Sequence, residues 1–136
     1  MTITDAIVSQ LLQVASTARA RAYAPYSCFE VGAALLSASG KTFSAANVEN
    51  ASFGLAICAE RLAVAKAISE GEREFVAIAV EVERHASHVP CGACLQVLGE
   101  FCPPDFGIYV RAADGTMIQR TLAQLLPNPF RFEPSS

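Results

Sequence analysis

Cys91 and Cys94 stand three residues apart in "VPCGACLQ", and Cys58 precedes Glu60 by two residues in "ICAER", with 32 residues between Cys58 and Cys91. Three chemistries use thiols in such patterns. A C-x-x-C pair opening a helix can cycle between dithiol and disulfide. A structural zinc site takes four protein ligands, and a catalytic one takes three and keeps the fourth position open. The redox reading gives Cys58 no task, and the chain has no Trp of the kind that usually precedes such a redox pair. The structural reading needs a fourth ligand. Cys28, Cys102, His85 and His88 are available, but none pairs with Cys58 at the two-to-four-residue spacing usual in zinc ribbons. The catalytic reading uses all three thiols and also Glu60. Alone, Glu60 is an acidic partner for a helix N-terminus. Beside an open metal position, a carboxylate becomes a proton carrier.

For these groups to meet, two helices must begin at the same place. The pattern predicts one helix from about Cys58 through "CAERLAVAKAISE", closed by Gly71, and another opened by Pro90 through "CGACLQVLGEF", ended by Pro103 and Pro104. All three cysteines then sit at helix N-termini, where unpaired N–H groups and the dipole favour the thiolate that binds metal. Cys91 and Cys94, three apart, share one side of their helix and can hold one ion together.

The remaining elements follow from periodicity. Ile7, Leu11, Ala15, Ala18 and Ala22 keep helical spacing until Pro25, which predicts a first helix. "CFEVGAALL" and "TFSAANV" read as strands around the loop 37–41, and "ENASFGLAI" as a loop. "FVAIAV" is a continuous apolar run, as expected of a strand buried on both faces. "FGIYVRAADGTMIQR" reads as two strands about an Asp114-Gly115 turn, and Thr121 with Gln124 forms a capping box for the last helix, "TLAQLL". This order predicts an α/β fold: a three-layer α/β/α sandwich around a mixed sheet of about five strands.

Bulk properties narrow the function classes. A length of 136 residues suits one compact domain, residues 1–136. Apolar residues make up 52% and charged ones 17%, against roughly 25% charged in average soluble domains. With so little polar material, part of the surface is expected to be covered by other copies of the chain. The formal net charge is −3 and the ten basic residues form no run, which argues against a nucleic-acid partner and for a small ligand. No apolar run approaches the ~18 residues of a membrane span, so no membrane partner is expected. The start "MTITDAIVSQLLQVA" has no basic leader, which points to the cytoplasm. Five cysteines, an odd number, fit metal binding or catalysis better than a disulfide framework.

"CAER" followed by "PCGAC" resembles the zinc-dependent nucleoside deaminases, and specifically the short homotetrameric cytidine deaminases. The likeness continues through "YAPYSCFEVGAALL", "NVENASFGLAICAER" and "LLPNPF", so it covers roughly residues 20 to 130. It implies one Zn2+ per subunit on Cys58, Cys91 and Cys94. Glu60 would carry protons in the hydrolysis of cytidine or deoxycytidine to uridine or deoxyuridine and ammonia, and Arg61 would offset the thiolate charge. It further implies that Asn47 and Glu49 bind the ribose hydroxyl, with Val48 between them, and that Phe29 lines the pocket. Read alone, Phe29 is a core residue. The N–H of Ala59 would meet the base carbonyl, the carbonyl of Val89 would receive the amino group, and Phe130 would reach into a neighbouring subunit's site. The implied assembly is a tetramer with shared sites.

Two positions depart from that pattern. Members commonly read "PCGACRQ", with Arg where this chain has Leu95, and Phe53 stands where tyrosine is frequent. The first departure keeps open a related zinc aminohydrolase acting on a blasticidin-type or modified cytosine nucleoside. His85 and His88 read as solvent-loop residues, and Cys28 and Cys102 as apolar fillers. Tyr23 and Tyr26 could line the pocket entrance.

Overall fold

The computed structural model describes residues 1–82, 89–112 and 114–134; His85 and His88 lie outside them. In chain order it contains helix α1 (Asp5–Arg19), strands β1 (Val31–Ser37) and β2 (Thr42–Ala46), a 3₁₀ turn (Phe53–Leu55) and helix α2 (Ala59–Ser69). Strand β3 (Phe75–Val82), helix α3 (Gly92–Phe101), strands β4 (Gly107–Arg111) and β5 (Met117–Thr121) and helix α4 (Leu122–Leu125) follow. The strands form one mixed sheet in the order β2-β1-β3-β4-β5, antiparallel throughout except for the parallel pair β3–β4. A parallel pair needs a crossover, and α3 provides it. This is the expected sandwich.

Strand alternation sets the layers. In β1, Ala33 and Leu35 pack with α2 and α3, while Ala34 and Leu36 pack with α1. In β3, Ile78 and Val80 join the first group and Ala77 and Ala79 the second. Both strands are covered on both faces, so they read as continuous apolar runs and not as alternating ones. Leu35, Ile78, Leu98 and Ile108 are fully buried, each contributing about 1.5–3 kcal/mol.

The first helix stops at Arg19, short of Ala22 and Pro25. After it, the Tyr23 N–H donates to the Asn47 carbonyl (3.0 Å) and the Glu49 N–H donates to the Tyr23 carbonyl (2.8 Å). Pairing with residues 47–49 therefore pulls the chain out of the helix before proline is reached. The flanking strands are correspondingly shorter than periodicity suggests. β1 begins at Val31 because Cys28 is in the left-handed region (φ 57°), and β2 ends at Ala46 because the Asn47 side chain, and not its backbone alone, completes the pairing. The predicted capping box is formed: the Gln124 N–H donates to Thr121 Oγ1 (3.2 Å), and the Thr121 N–H donates to Gln124 Oε1 (2.8 Å). The Asp114 turn is also present, with Gly115 at φ 88°. No described helix is long and apolar enough to cross a membrane.

Helix α1 lies directly on β1 at Gly32. A Cβ there would stand 1.9 Å from the Ala15 carbonyl oxygen and 2.6 Å from the Arg19 nitrogen, both backbone atoms that no rotamer change can move. Gly32→Ala is accordingly expected to destabilise the fold by about 3 kcal/mol or more, measured by urea denaturation. A loss below about 1 kcal/mol would show that α1 is not seated there.

Candidate active site

The β3–α3–β4 crossover brings the N-terminus of α3 beside that of α2. Cys58 is the N-cap of α2 and Cys91 the N-cap of α3, and neither uses its sulfur to cap its own helix. Cys94, one turn into α3, is completely buried. The three sulfurs all lie within 4.8 Å of one another, with Cys91 Sγ donating to Cys94 Sγ at 3.4 Å and no disulfide between them. Zinc with bonds of about 2.3 Å holds tetrahedral sulfurs about 3.8 Å apart, so the trio fits that ion with small adjustments. The redox reading does not explain why a third sulfur joins the pair. The four-ligand reading finds no fourth donor in this cluster among the described residues. Of its candidates, Cys28 is exposed, and burial pushes the Cys102 thiol up to about 12.

The electrostatics are those of a crowded anionic site. Accepting from Cys94, helped by Arg61, brings the Cys58 thiol down to about 5, and Cys94 is pushed up as the donor. Arg61 Nη2 sits 4.0 Å from Cys58 Sγ and 3.3 Å from the Ala56 carbonyl. The interaction with Cys58 raises the Arg61 pKa further, so the guanidinium stays charged against the cluster. Leu95, at the position where an arginine was noted as common, is buried among core residues and offers no charge. Glu60, in the first turn of α2, is only 2% exposed, and burial raises its carboxyl to about 7. A carboxyl held there can both take and give a proton near neutral pH.

A pocket of about 200 Å³ opens over this cluster, lined by Ser27, Phe29, Val31, Asn47, Glu49, Cys58, Ala59, Glu60 and Cys91. Its floor carries the chemistry and its rim carries polar groups. Asn47 Oδ1 accepts from the Val31 N–H and Asn47 Nδ2 donates to the Phe29 carbonyl, both at 2.9 Å. Glu49 Oε1 accepts from the Tyr26 N–H (2.9 Å) and the Ser27 N–H (3.1 Å), while Oε2 accepts from the Ser27 hydroxyl. These bonds, the Ser27 hydroxyl first, hold the Glu49 carboxyl below its ordinary value. Three of its roughly four acceptor positions are used, so one remains for a ligand hydroxyl.

Of the predicted site residues, Phe29, Asn47, Glu49, Cys58, Ala59, Glu60 and Cys91 line this pocket, and the buried Cys94 joins two of them in the sulfur cluster. The others are not brought into its lining. Both backbone groups of Val48 are committed to Ile57, leaving only its side chain for contact. Val89 is exposed at the start of the α3 segment, and Phe130 is 72% exposed and is not part of its own chain's pocket lining. Tyr26, with Phe53, lines a neighbouring recess of about 270 Å³ that shares Ser27 and Glu49 with the pocket. Ser27 escaped sequence reasoning, because a hydroxyl between two aromatics has no spacing signature until Glu49 is folded against it.

A sequence profile of the cytidine and deoxycytidylate deaminase zinc-binding region matches residues 6–110. The chain belongs to that family. It is 49% identical over 123 residues to a cytidine deaminase of Halalkalibacterium halodurans, covering 90% of this chain and 93% of that one. The crystal structure of a cytidine deaminase from Burkholderia pseudomallei superposes with a TM-score of 0.86 at 45% identity, covering 94% of this chain and all of that one. A blasticidin-S deaminase of Bacillus cereus is 30% identical over 105 residues, covering 71% of this chain and 74% of that one. In a zinc-dependent deaminase with a buried ligand such as Cys94, metal binding and folding are expected to be coupled. Cys94→Ala is expected to lower bound zinc, read by elemental analysis, from about one per chain to below about 0.1, with a fall in thermal stability. Full zinc in that variant would remove Cys94 from the ligand set.

Proposed function

We propose that this chain hydrolyses cytidine and deoxycytidine to uridine and deoxyuridine, releasing ammonia. The observation that carries the reading is the placement of the three-sulfur cluster and the buried Glu60 on the floor of a pocket whose rim carries Asn47 and Glu49. Held by Cys58, Cys91 and Cys94, zinc supplies the Lewis acidity that makes water a nucleophile near neutral pH. Glu60 relays the protons. It takes one from the attacking water and delivers it to N3 of the base, then moves the second from the new C4 hydroxyl to the amino group. The nitrogen leaves as ammonia and the water oxygen stays as the C4 carbonyl.

Recognition divides between the two ends of the substrate. Glu49 accepts from a ribose hydroxyl at its remaining acceptor position, and Asn47 donates its second amide hydrogen. The Ala59 N–H, at the first turn of α2 where helical N–H groups lack intrahelical partners, donates to the base carbonyl. The Val89 carbonyl receives the amino group, and Phe29 and Val48 supply apolar contact. Arg61 steadies the anionic cluster without touching substrate.

The same reading includes a homo-oligomer, a tetramer with shared pockets, working in the cytoplasm, where thiols stay reduced. Its support is exposed apolar surface: Tyr26 and Phe53, which line the recess next to the pocket, and Leu55, Phe130 and Phe132 are each about half or more exposed. In a closed assembly it is interface, and Phe130 of one copy covers the base bound by another.

Glu60→Gln, assayed beside the unaltered protein by ammonia release from cytidine, is expected to keep its zinc and lose about 100- to 10,000-fold in turnover. Near-normal turnover would overturn the role of Glu60. The same assay with cytidine, deoxycytidine and blasticidin S separates the substrates: faster release from blasticidin S would replace the favoured reading with the related aminohydrolase. Removing the residues after Leu126 is expected to lower both cytidine turnover and the mass seen by light scattering. A truncated chain with unchanged assembly and turnover would end the shared-pocket reading.

A further inference from the structure

The C-terminal arm is not simply trailing chain. After α4, residues 127–130 run back along α3 towards its zinc-ligating end. Pro129 lies against the helix backbone at Gly99, where an added Cβ would meet the Pro129 Cβ at 3.4 Å. One turn nearer the metal end, the side-chain amide of Gln96 makes two bonds to one backbone residue. Gln96 Nε2 donates to the Phe130 carbonyl (2.8 Å), and the Phe130 N–H donates to Gln96 Oε1 (3.1 Å). The amide thus acts as a strand partner would, satisfying both polar groups of Phe130 at once.

The oddity is what this holds. Phe130 is 72% exposed, so fixing it returns little burial to its own chain. Ordering a backbone segment carries an entropic cost at every residue. Pro127 and Pro129 lower that cost by restricting the arm in advance. A stiff arm and a two-point clasp that together present an apolar ring to solvent are explained by an acceptor outside the chain. That acceptor is the pocket of a second copy, on the reading given under Proposed function.

We propose that Gln96 is a positioning residue for the reaction: its amide fixes Phe130 at the metal end of α3, so that the ring meets a neighbouring copy's bound nucleoside already oriented. Gln96 touches neither substrate nor metal. Its effect passes through the arm and falls on binding more than on the proton transfers at Glu60.

The test uses the full-length zinc-loaded protein with Gln96→Ala and with Gln96→Met, which keeps the side-chain length and removes both hydrogen bonds. Both variants are expected to lose hydrogen-exchange protection at the Phe130 amide and to keep about one zinc per chain. Both should raise KM for cytidine roughly tenfold, about what loss of two neutral hydrogen bonds gives, with kcat changed less than about threefold. Unaltered protection at Phe130, or an unaltered KM after protection is lost, would overturn the proposal. So would normal behaviour of Q96M beside a defective Q96A, which would assign the effect to packing. Phe130→Ala separates the two layers of the argument. If F130A raises KM and the Gln96 variants do not, only the clasp is refuted; if F130A leaves KM unchanged, the shared-pocket reading falls and the clasp loses its purpose with it.

Discussion

Three sulfurs that bind metal as anions must share a space a few ångströms wide, and the rest of the molecule is arranged around that repulsion. Two unit charges about 4 Å apart repel by about 4 kcal/mol at an effective dielectric constant of about 20. The strain is visible in the opposed shifts of Cys58, brought down mainly by accepting from Cys94, and Cys94, pushed up as the donor. The fold answers with two helix N-termini aimed at one point, the Arg61 guanidinium against Cys58, and room for one divalent ion. The parallel β3–β4 pair matters for this reason. It dictates a crossover through α3, and the crossover delivers Cys91 and Cys94 to a cysteine more than thirty residues earlier.

The pocket above the cluster shows a division between floor and rim. The floor is made by residues in regular helices, whose positions are fixed by core packing of Ala59, Ala63 and Leu98. The rim is made by irregular segments 23–30 and 47–57, which tie to each other through side chain to backbone hydrogen bonds. The sulfur cluster is thereby mounted on helix starts and the rim on loops held by side chain to backbone bonds.

The floor was legible from residue spacing alone, whereas the rim residues Phe29, Asn47 and Glu49 were reached only through the resemblance, and Ser27 not at all. Cysteine spacing, the carboxylate two residues on, the helix starts and the Thr121–Gln124 box are local patterns, and local patterns survive folding. The end of α1 was misplaced because Pro25 is a local stop signal, whereas the true stop comes from pairing with residues 47–49. Ser27 and Gln96 carry no signature of their own, since their partners stand 22 and 34 residues away. The apolar composition led to an expectation of surface covered by other copies, and the exposed Phe53, Phe130 and Phe132 are where such cover would fall.

Asn47 joins two duties in one amide. Its oxygen and nitrogen hold the entry of β1 at Val31 and Phe29, and the same group stands on the pocket rim, where the proposed reading places the sugar. On that reading, evolution cannot discard sugar recognition at this position without also loosening the first strand. A descendant adapted to free bases would have to change Glu49 or its serine latch instead, and Asn47 would persist in it as a relic of architecture long after the pentose was gone.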